Sequence, residues 1–131
     1  MKIAILGSGG REHAIANAIF KSKKIEKIFC LPGNAGTDII AENIIIDINN
    51  FEHVYNFLKK EKINFVVVGP EQPLVDGIVD YLQKFNIKVF GPNKMSSQLE
   101  GSKIFTKNLC KKYNIPTADF GTFKTKEDTI K

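Results

Sequence analysis

Arginine is almost missing from this chain. Arg11 stands alone among eighteen lysines, and that bears first on nucleic acid. Base edges are read by arginine forks, and single strands are held where basic and aromatic residues interleave. Neither pattern occurs here. The lysines are scattered, with pairs at Lys23-Lys24, Lys59-Lys60 and Lys111-Lys112 on segments that read as solvated helix ends. The net charge of +5 is therefore read as a lysine-rich surface, and no nucleic-acid partner is expected.

Cysteine is equally sparse. Cys30 ends an apparent strand and Cys110 lies in an apparent helix. Buried free thiols suit that spacing better than a disulfide or a metal role. There is no secretory segment and no apolar run near membrane-spanning length, so a soluble, cytoplasmic protein without a membrane partner is expected. Repeats and low-complexity tracts are absent. His13 has no serine or cysteine nucleophile beside it, and His53 falls on a polar helix face. Asp76 and Asp80, one helical turn apart, read as a solvated or first-turn pair and not as metal ligands.

What the chain does have is regular alternation. Its 131 residues, 43% of them hydrophobic, suffice for one domain, or for one domain and the opening of another. Short apolar runs alternate with helical spacing, which predicts an α/β fold: a Rossmann-like, doubly wound parallel sheet of about five strands. Strands are predicted at Ile3–Leu6, Lys27–Leu31, Asn43–Ile46, Phe65–Val68 and Lys88–Phe90. A first helix buries Ala14, Ile15, Ala18 and Ile19, and a second, capped within Asp47–Asn50, buries Phe51, Val54 and Leu58. A third places Leu74, Ile78, Leu82 and Phe85 on one face. From Lys94 a long helical stretch carries Met95, Leu99, Phe105 and Leu109 until Ile115-Pro116 stops it. Ala118–Phe123 reads as one more strand, and Thr125 as the cap of a helix that has barely begun. The tail thus looks like the opening of a second domain, giving a division into residues 1–101 and 102–131.

Four loops carry chemical interest. Gly7-Ser8-Gly9-Gly10-Arg11-Glu12 follows the first strand and opens the first helix, whose free N–H groups suit an anion. It resembles a dinucleotide fingerprint, but Glu12 stands where the third glycine belongs. No acidic residue ends the second strand to hold a ribose hydroxyl, so NAD is disfavoured. A lone arginine in this loop points to a phosphorylated small molecule. Gly69-Pro70-Glu71-Gln72-Pro73-Leu74 follows the clearest strand. If the first and fourth strands flank the switch in strand order, Glu71 faces Gly9, Gly10 and Arg11 across the crevice, where it could accept from sugar hydroxyls or an amine; otherwise it is a proline-framed turn. Pro32-Gly33-Asn34-Ala35-Gly36-Thr37 either rims the same crevice or is an ordinary connection. Ser102 and Lys103 open the last helix, as a phosphate contact or as a cap and a surface lysine.

In this order, and over nearly the whole chain, these segments resemble the amino-terminal region of the phosphoribosylamine–glycine ligase (glycinamide ribonucleotide synthetase) family. The matching motifs are Gly7-Ser8-Gly9-Gly10-Arg11-Glu12-His13-Ala14, Pro32 to Thr37, Gly69 to Gly77, and Glu100-Gly101-Ser102-Lys103-x-Phe105, followed by Ile115-Pro116-Thr117-Ala118. The resemblance implies a purine-biosynthesis enzyme of the ATP-grasp superfamily, with this region as the Rossmann-like domain and the start of the ATP-grasp domain. Such ligases use ATP and Mg²⁺ (or Mn²⁺) to turn glycine into an acyl phosphate, which the amine of 5-phosphoribosylamine attacks. By position, Gly9, Gly10, Arg11 and Glu71 would lie beside the phosphoribosyl substrate, and Lys103 near the ATP phosphates. No catalytic residue or metal ligand is expected in these residues, nor tight binding of a cofactor. Family members continue into ATP-grasp and carboxyl-terminal domains, so the 131 residues alone are expected to be inactive. The alternative is a stand-alone phosphosugar- or nucleotide-binding module without catalysis.

Overall fold

The computed structural model describes residues 1–123 and 125. Two compact units divide the chain, Met1–Ser97 and Gln98–Lys131.

The first unit is a five-stranded parallel sheet in the order β3-β2-β1-β4-β5. Its strands are β1 (Lys2–Gly7), β2 (Lys27–Pro32), β3 (Glu42–Asn43), β4 (Phe65–Val68) and β5 (Val89–Phe90). Successive side chains on a strand point to opposite faces, so a sheet covered on both sides buries all of them. Along β1, Ala4 and Leu6 enter a core shared with Phe29, Leu31, Val66 and Val68. Ile3 and Ile5 enter the opposite core with Ile28, Cys30 and Val67. α1 (Gly10–Phe20) closes the second core through Ala16, Ile15 and Ile19. α2 (Phe51–Lys60), α3 (Glu71–Asp76) and α4 (Ile78–Gln83) close the first through Val54, Leu58, Leu74, Ile78 and Leu82. Each such side chain contributes about 1.5–3 kcal/mol when fully buried. Asn50 caps α2, its side chain accepting from His53 N at 3.1 Å, as the predicted cap position requires.

Several elements differ from their sequence reading. The third strand pairs only at Glu42 and Asn43, opposite Phe29 and Cys30. Ile44 N still donates to Cys30 O at 2.9 Å, after which the chain leaves the ladder. Ile44, Ile46 and Ile48 nevertheless pack on the core, while Ile45 is exposed. The fifth strand is likewise two residues long. The third predicted helix is two short ones, broken where Gly77 takes a left-handed conformation (φ 99°). Phe85 does not share their buried face. It lies past the end of α4, 42% exposed, and stacks on Tyr55 at 4.1 Å between ring centroids.

The long helix expected from Lys94 is also two, α5 (Lys94–Gly101) and α6 (Lys103–Lys112). Ser102 is extended and caps α6, its hydroxyl accepting from Phe105 N at 3.2 Å. Met95 and Leu99 are exposed. α6 ends before Pro116, through Asn114 at positive φ. Ala118–Phe123 forms no strand, since no neighbouring segment among the described residues pairs with it. Lys107 ties its start to α6, the ammonium donating to Thr117 Oγ1 at 2.6 Å and Ala118 O at 3.0 Å. The helix that Thr125 was expected to cap lies outside the described residues.

Candidate functional site

The strand order reverses at β1. The chain passes from β1 to β2 and β3 on one side, and then crosses to β4 and β5 on the other. Loops leaving β1 and β4 diverge around the carboxyl ends of these strands, the position at which open α/β sheets hold ligands. Leu6 pairs with Val68 in this register, so Gly7 to Gly10 and Gly69 to Glu71 leave the sheet side by side. Gly69 N donates to Leu6 O at 3.1 Å.

At the β1 loop the backbone turns through Gly7 at φ 123°, a conformation reserved for glycine. Gly9 caps α1. The first helical residues, Gly10 to Glu12, carry N–H groups that the helix ladder leaves unused. Their partial positive charge, with Arg11 beside them, makes this end attractive to an anion. A Cβ on Gly10 would meet nothing within 4 Å, so the open side of the loop lies there.

Glu12 does the opposite. Its side chain turns inward and is 5% exposed. Oε2 accepts from Gly9 N at 2.6 Å, the reciprocal half of a capping box. A Cβ on Gly7, Gly9 or Gly69 would come within 2.8, 2.8 and 2.0 Å of its atoms. The three glycines therefore form a cradle that only this carboxylate fills. Among the described residues Oε1 has no hydrogen-bond partner, and the cation paired with it there is Arg11, Nε at 3.4 Å.

Arg11 spans the crevice. Its Nη2 lies 3.5 Å from Glu71 Oε2, both side chains more than half exposed. An ion pair this open is worth about 0–1 kcal/mol, a contact that a phosphate can displace. Gly9, Gly10, Arg11 and Glu71 are thus brought together at one sheet edge. Asp80 and Asp76 stand apart from this edge group in their bonding: Asp80 accepts from Lys94 N at 2.7 Å, and Asp76 accepts from Gln72 at 2.9 Å.

The Pro32–Thr37 loop rims the same crevice. Gly33 N donates to Gly7 O at 3.1 Å. The Asn34 amide donates to Ser8 O at 2.8 Å and accepts from Gly36 N and Thr37 N at 2.8 and 3.0 Å. Buried Thr37 donates to Asn43 at 2.7 Å, and the His13 ring packs on Gly36. Glu12 and Asn34 lie in loops that the sequence marked, but the inward turn of Glu12 and the tie that Asn34 makes to the first loop were not foreseen. An asparagine just ahead of small residues in a turn, and an acid three positions after a glycine cap, were the available signals.

Cys30 is buried beneath this loop, and burial pushes its thiol pKa up; the Thr37 hydroxyl opposes the shift and the Glu12 charge adds to it. Cys110 is also a free thiol. On the second unit, Lys103 opens α6 and lines a cavity of about 220 Å³ with Ile104, Lys107, Phe120 and Thr122. A groove of about 410 Å³ between Phe20, Ile25, Ile28, Ile39 and Ala41 lies at the amino end of β2, away from the crevice. Among the described residues no three or more His, Cys, Asp or Glu side chains gather to hold a metal, and no helix is long and apolar enough to cross a membrane.

The family described as phosphoribosylglycinamide synthetase, N domain, matches residues 1–100. A phosphoribosylamine–glycine ligase of Caldanaerobacter subterraneus is 44% identical over the whole chain, which covers 31% of that relative. One from Mesorhizobium japonicum is 52% identical over 94% of the chain and 29% of its own length. The chain therefore spans about a third of the relatives it matches. The solved phosphoribosylamine–glycine ligase of Thermotoga maritima superposes with a TM-score of 0.64 at 33% identity, covering 91% of this chain and 26% of that one. An N5-carboxyaminoimidazole ribonucleotide synthetase from Thermus thermophilus shares the fold, with a TM-score of 0.69 at 19% identity over 98% of this chain and 34% of its own.

Proposed function

The chain belongs to the phosphoribosylglycinamide synthetase N-domain family, and we propose that it is the part of a phosphoribosylamine–glycine ligase that holds the phosphoribosyl substrate. The whole enzyme would join glycine to 5-phosphoribosylamine in purine biosynthesis. ATP transfers its terminal phosphoryl group to the glycine carboxylate, releasing ADP. The phosphoribosylamine nitrogen then attacks the acyl carbon and displaces phosphate, leaving glycinamide ribonucleotide. An acyl phosphate must meet the amine before it meets water. What this region supplies is orientation, since a rigidly held amine raises the rate without any proton transfer by the holder.

The observation that carries this reading is the meeting of Arg11 with Glu71 at 3.5 Å over the amino end of α1. Arg11 and the N–H groups of Gly10 onward suit the phosphate, and Glu71 suits the ribose hydroxyls or the amine. Gly9 lets the loop approach closely. The tail from residue 102 reads as the start of the ATP-grasp part, with Lys103 toward the ATP phosphates. ATP and Mg²⁺ (or Mn²⁺) would act on the rest of a cytoplasmic enzyme. The described residues do not fit a metal, and no step here passes through one.

Kinetics of Arg11→Ala and Glu71→Ala in the full-length ligase test the assignment. Each is expected to weaken use of phosphoribosylamine far more than use of ATP. Unchanged kinetics for phosphoribosylamine would place the site elsewhere. ATP- and glycine-dependent formation of glycinamide ribonucleotide by the 131 residues alone would overturn the division of labour.

A further inference from the structure

We propose that Glu12 is the positioning residue of this crevice, holding Arg11 from behind so that its guanidinium is ordered before a phosphate arrives. The proposal rests on the phosphoribosyl reading above.

A carboxylate that is 5% exposed is costly to bury unless it is paired and hydrogen-bonded. Glu12 meets half of that requirement locally: Oε2 takes the Gly9 N–H at 2.6 Å. Oε1 takes no hydrogen bond from any described residue. Among the described residues the cation paired with it is Arg11, Nε at 3.4 Å, while the far end of the same guanidinium reaches Glu71 at 3.5 Å. Arg11 therefore bridges a buried carboxylate and an exposed one.

The two ends differ in permanence. Glu12 is boxed in by Gly7, Gly9 and Gly69, each too close to admit a Cβ, so its carboxylate has no room to follow Arg11 elsewhere. Glu71 stands in solvent and can yield its place. A phosphate entering over Gly10 would replace Glu71 at Nη2 and leave the 3.4 Å ion-pair contact of Nε with Glu12 in place. Fixing a long side chain in advance removes part of the ordering cost from binding.

Within these 131 residues Arg11 is the only arginine, so in a polypeptide limited to them its Nε–H gives a single NMR signal. In the unliganded ¹⁵N-labelled protein that signal is expected to be as ordered as the backbone of α1. Glu12→Gln keeps the volume and an acceptor for Gly9 N–H but turns an amide NH₂ toward Nε. It should free the Arg11 side chain and weaken glycinamide ribonucleotide binding on the order of tenfold. Glu71→Gln should leave the Nε–H ordered. An Nε–H in the unaltered protein as mobile as in a free arginine would overturn the proposal, even if Glu12→Gln failed to fold. So would a Glu12→Gln protein with unchanged order and affinity. If glycinamide ribonucleotide does not bind the unaltered protein while the Nε–H is ordered, the phosphoribosyl reading fails, and with it the purpose assigned to Glu12.

Discussion

Gly69 lies so close beneath Glu12 that a Cβ on it would stand 2.0 Å from the buried Oε1. The β4 loop and the first turn of α1 are thus fitted to each other through one carboxylate. Gly69→Ala must push Glu12 off the Gly9 N–H. Overpacking together with a lost charge-assisted bond is expected to cost about 1–3 kcal/mol, read as a lower midpoint in urea. Gly10→Ala, where a Cβ meets nothing, should fold as well as the parent protein or slightly better. Equal stability of the two variants would contradict the cradle.

Arg11 and Glu71 present the reverse case. Their pair is solvent-exposed, so Arg11→Ala or Glu71→Ala should change stability by less than about 1 kcal/mol. Affinity for a phosphoribosyl ligand should nevertheless fall on the order of tenfold or more. Parallel thermal melts and calorimetric titrations with glycinamide ribonucleotide separate the two effects. A large drop in melting temperature would make the pair structural.

The elements legible in the sequence were those whose residues answer to local rules. Phe65–Val68 is a strand because a short β-branched run buried on both faces permits little else. Asn50 caps α2 because its side chain reaches His53 N. The junction of Arg11 with Glu71 followed from strand order, given which loops lie at the carboxyl ends. What escaped depends on tertiary partners. Glu12 read as a missing glycine because nothing local says that Gly69, from another strand, leaves room for a carboxylate. Ala118–Phe123 has strand-like composition, yet a strand needs a neighbour's ladder. Gly77 and Ser102 each split one predicted helix because the apolar spacing continues across the break while the backbone does not.

Asn34 ties the second loop to the first. Asn34→Ala removes donors to Ser8 O and acceptors for Gly36 N and Thr37 N, leaving partly buried groups unpaired. A loss of about 1–3 kcal/mol is expected. Faster amide exchange at Gly36 and Thr37 would accompany it, and unchanged exchange there would argue against the tie.

Burial holds the Cys30 thiol in its neutral form to higher pH than in the unfolded chain. The unfolded chain loses that proton first, so this contribution to stability is full below about pH 8.5. It is lost as pH rises through the higher folded value. A thiol reagent at pH 8 should label half-buried Cys110 quickly and Cys30 only on unfolding. Cys30→Ala should abolish its share of the alkaline decline, and an identical alkaline profile would show that Cys30 plays no part in it.

The most direct test of the account is a titration of the ¹⁵N-labelled chain with glycinamide ribonucleotide, followed amide by amide. Binding in the crevice predicts shifts concentrated at Gly9, Gly10, Arg11 and Glu71, saturating together with the Arg11 Nε–H. Silence at those positions, or shifts gathered instead around Phe20, Ile39 and Ala41, would contradict it.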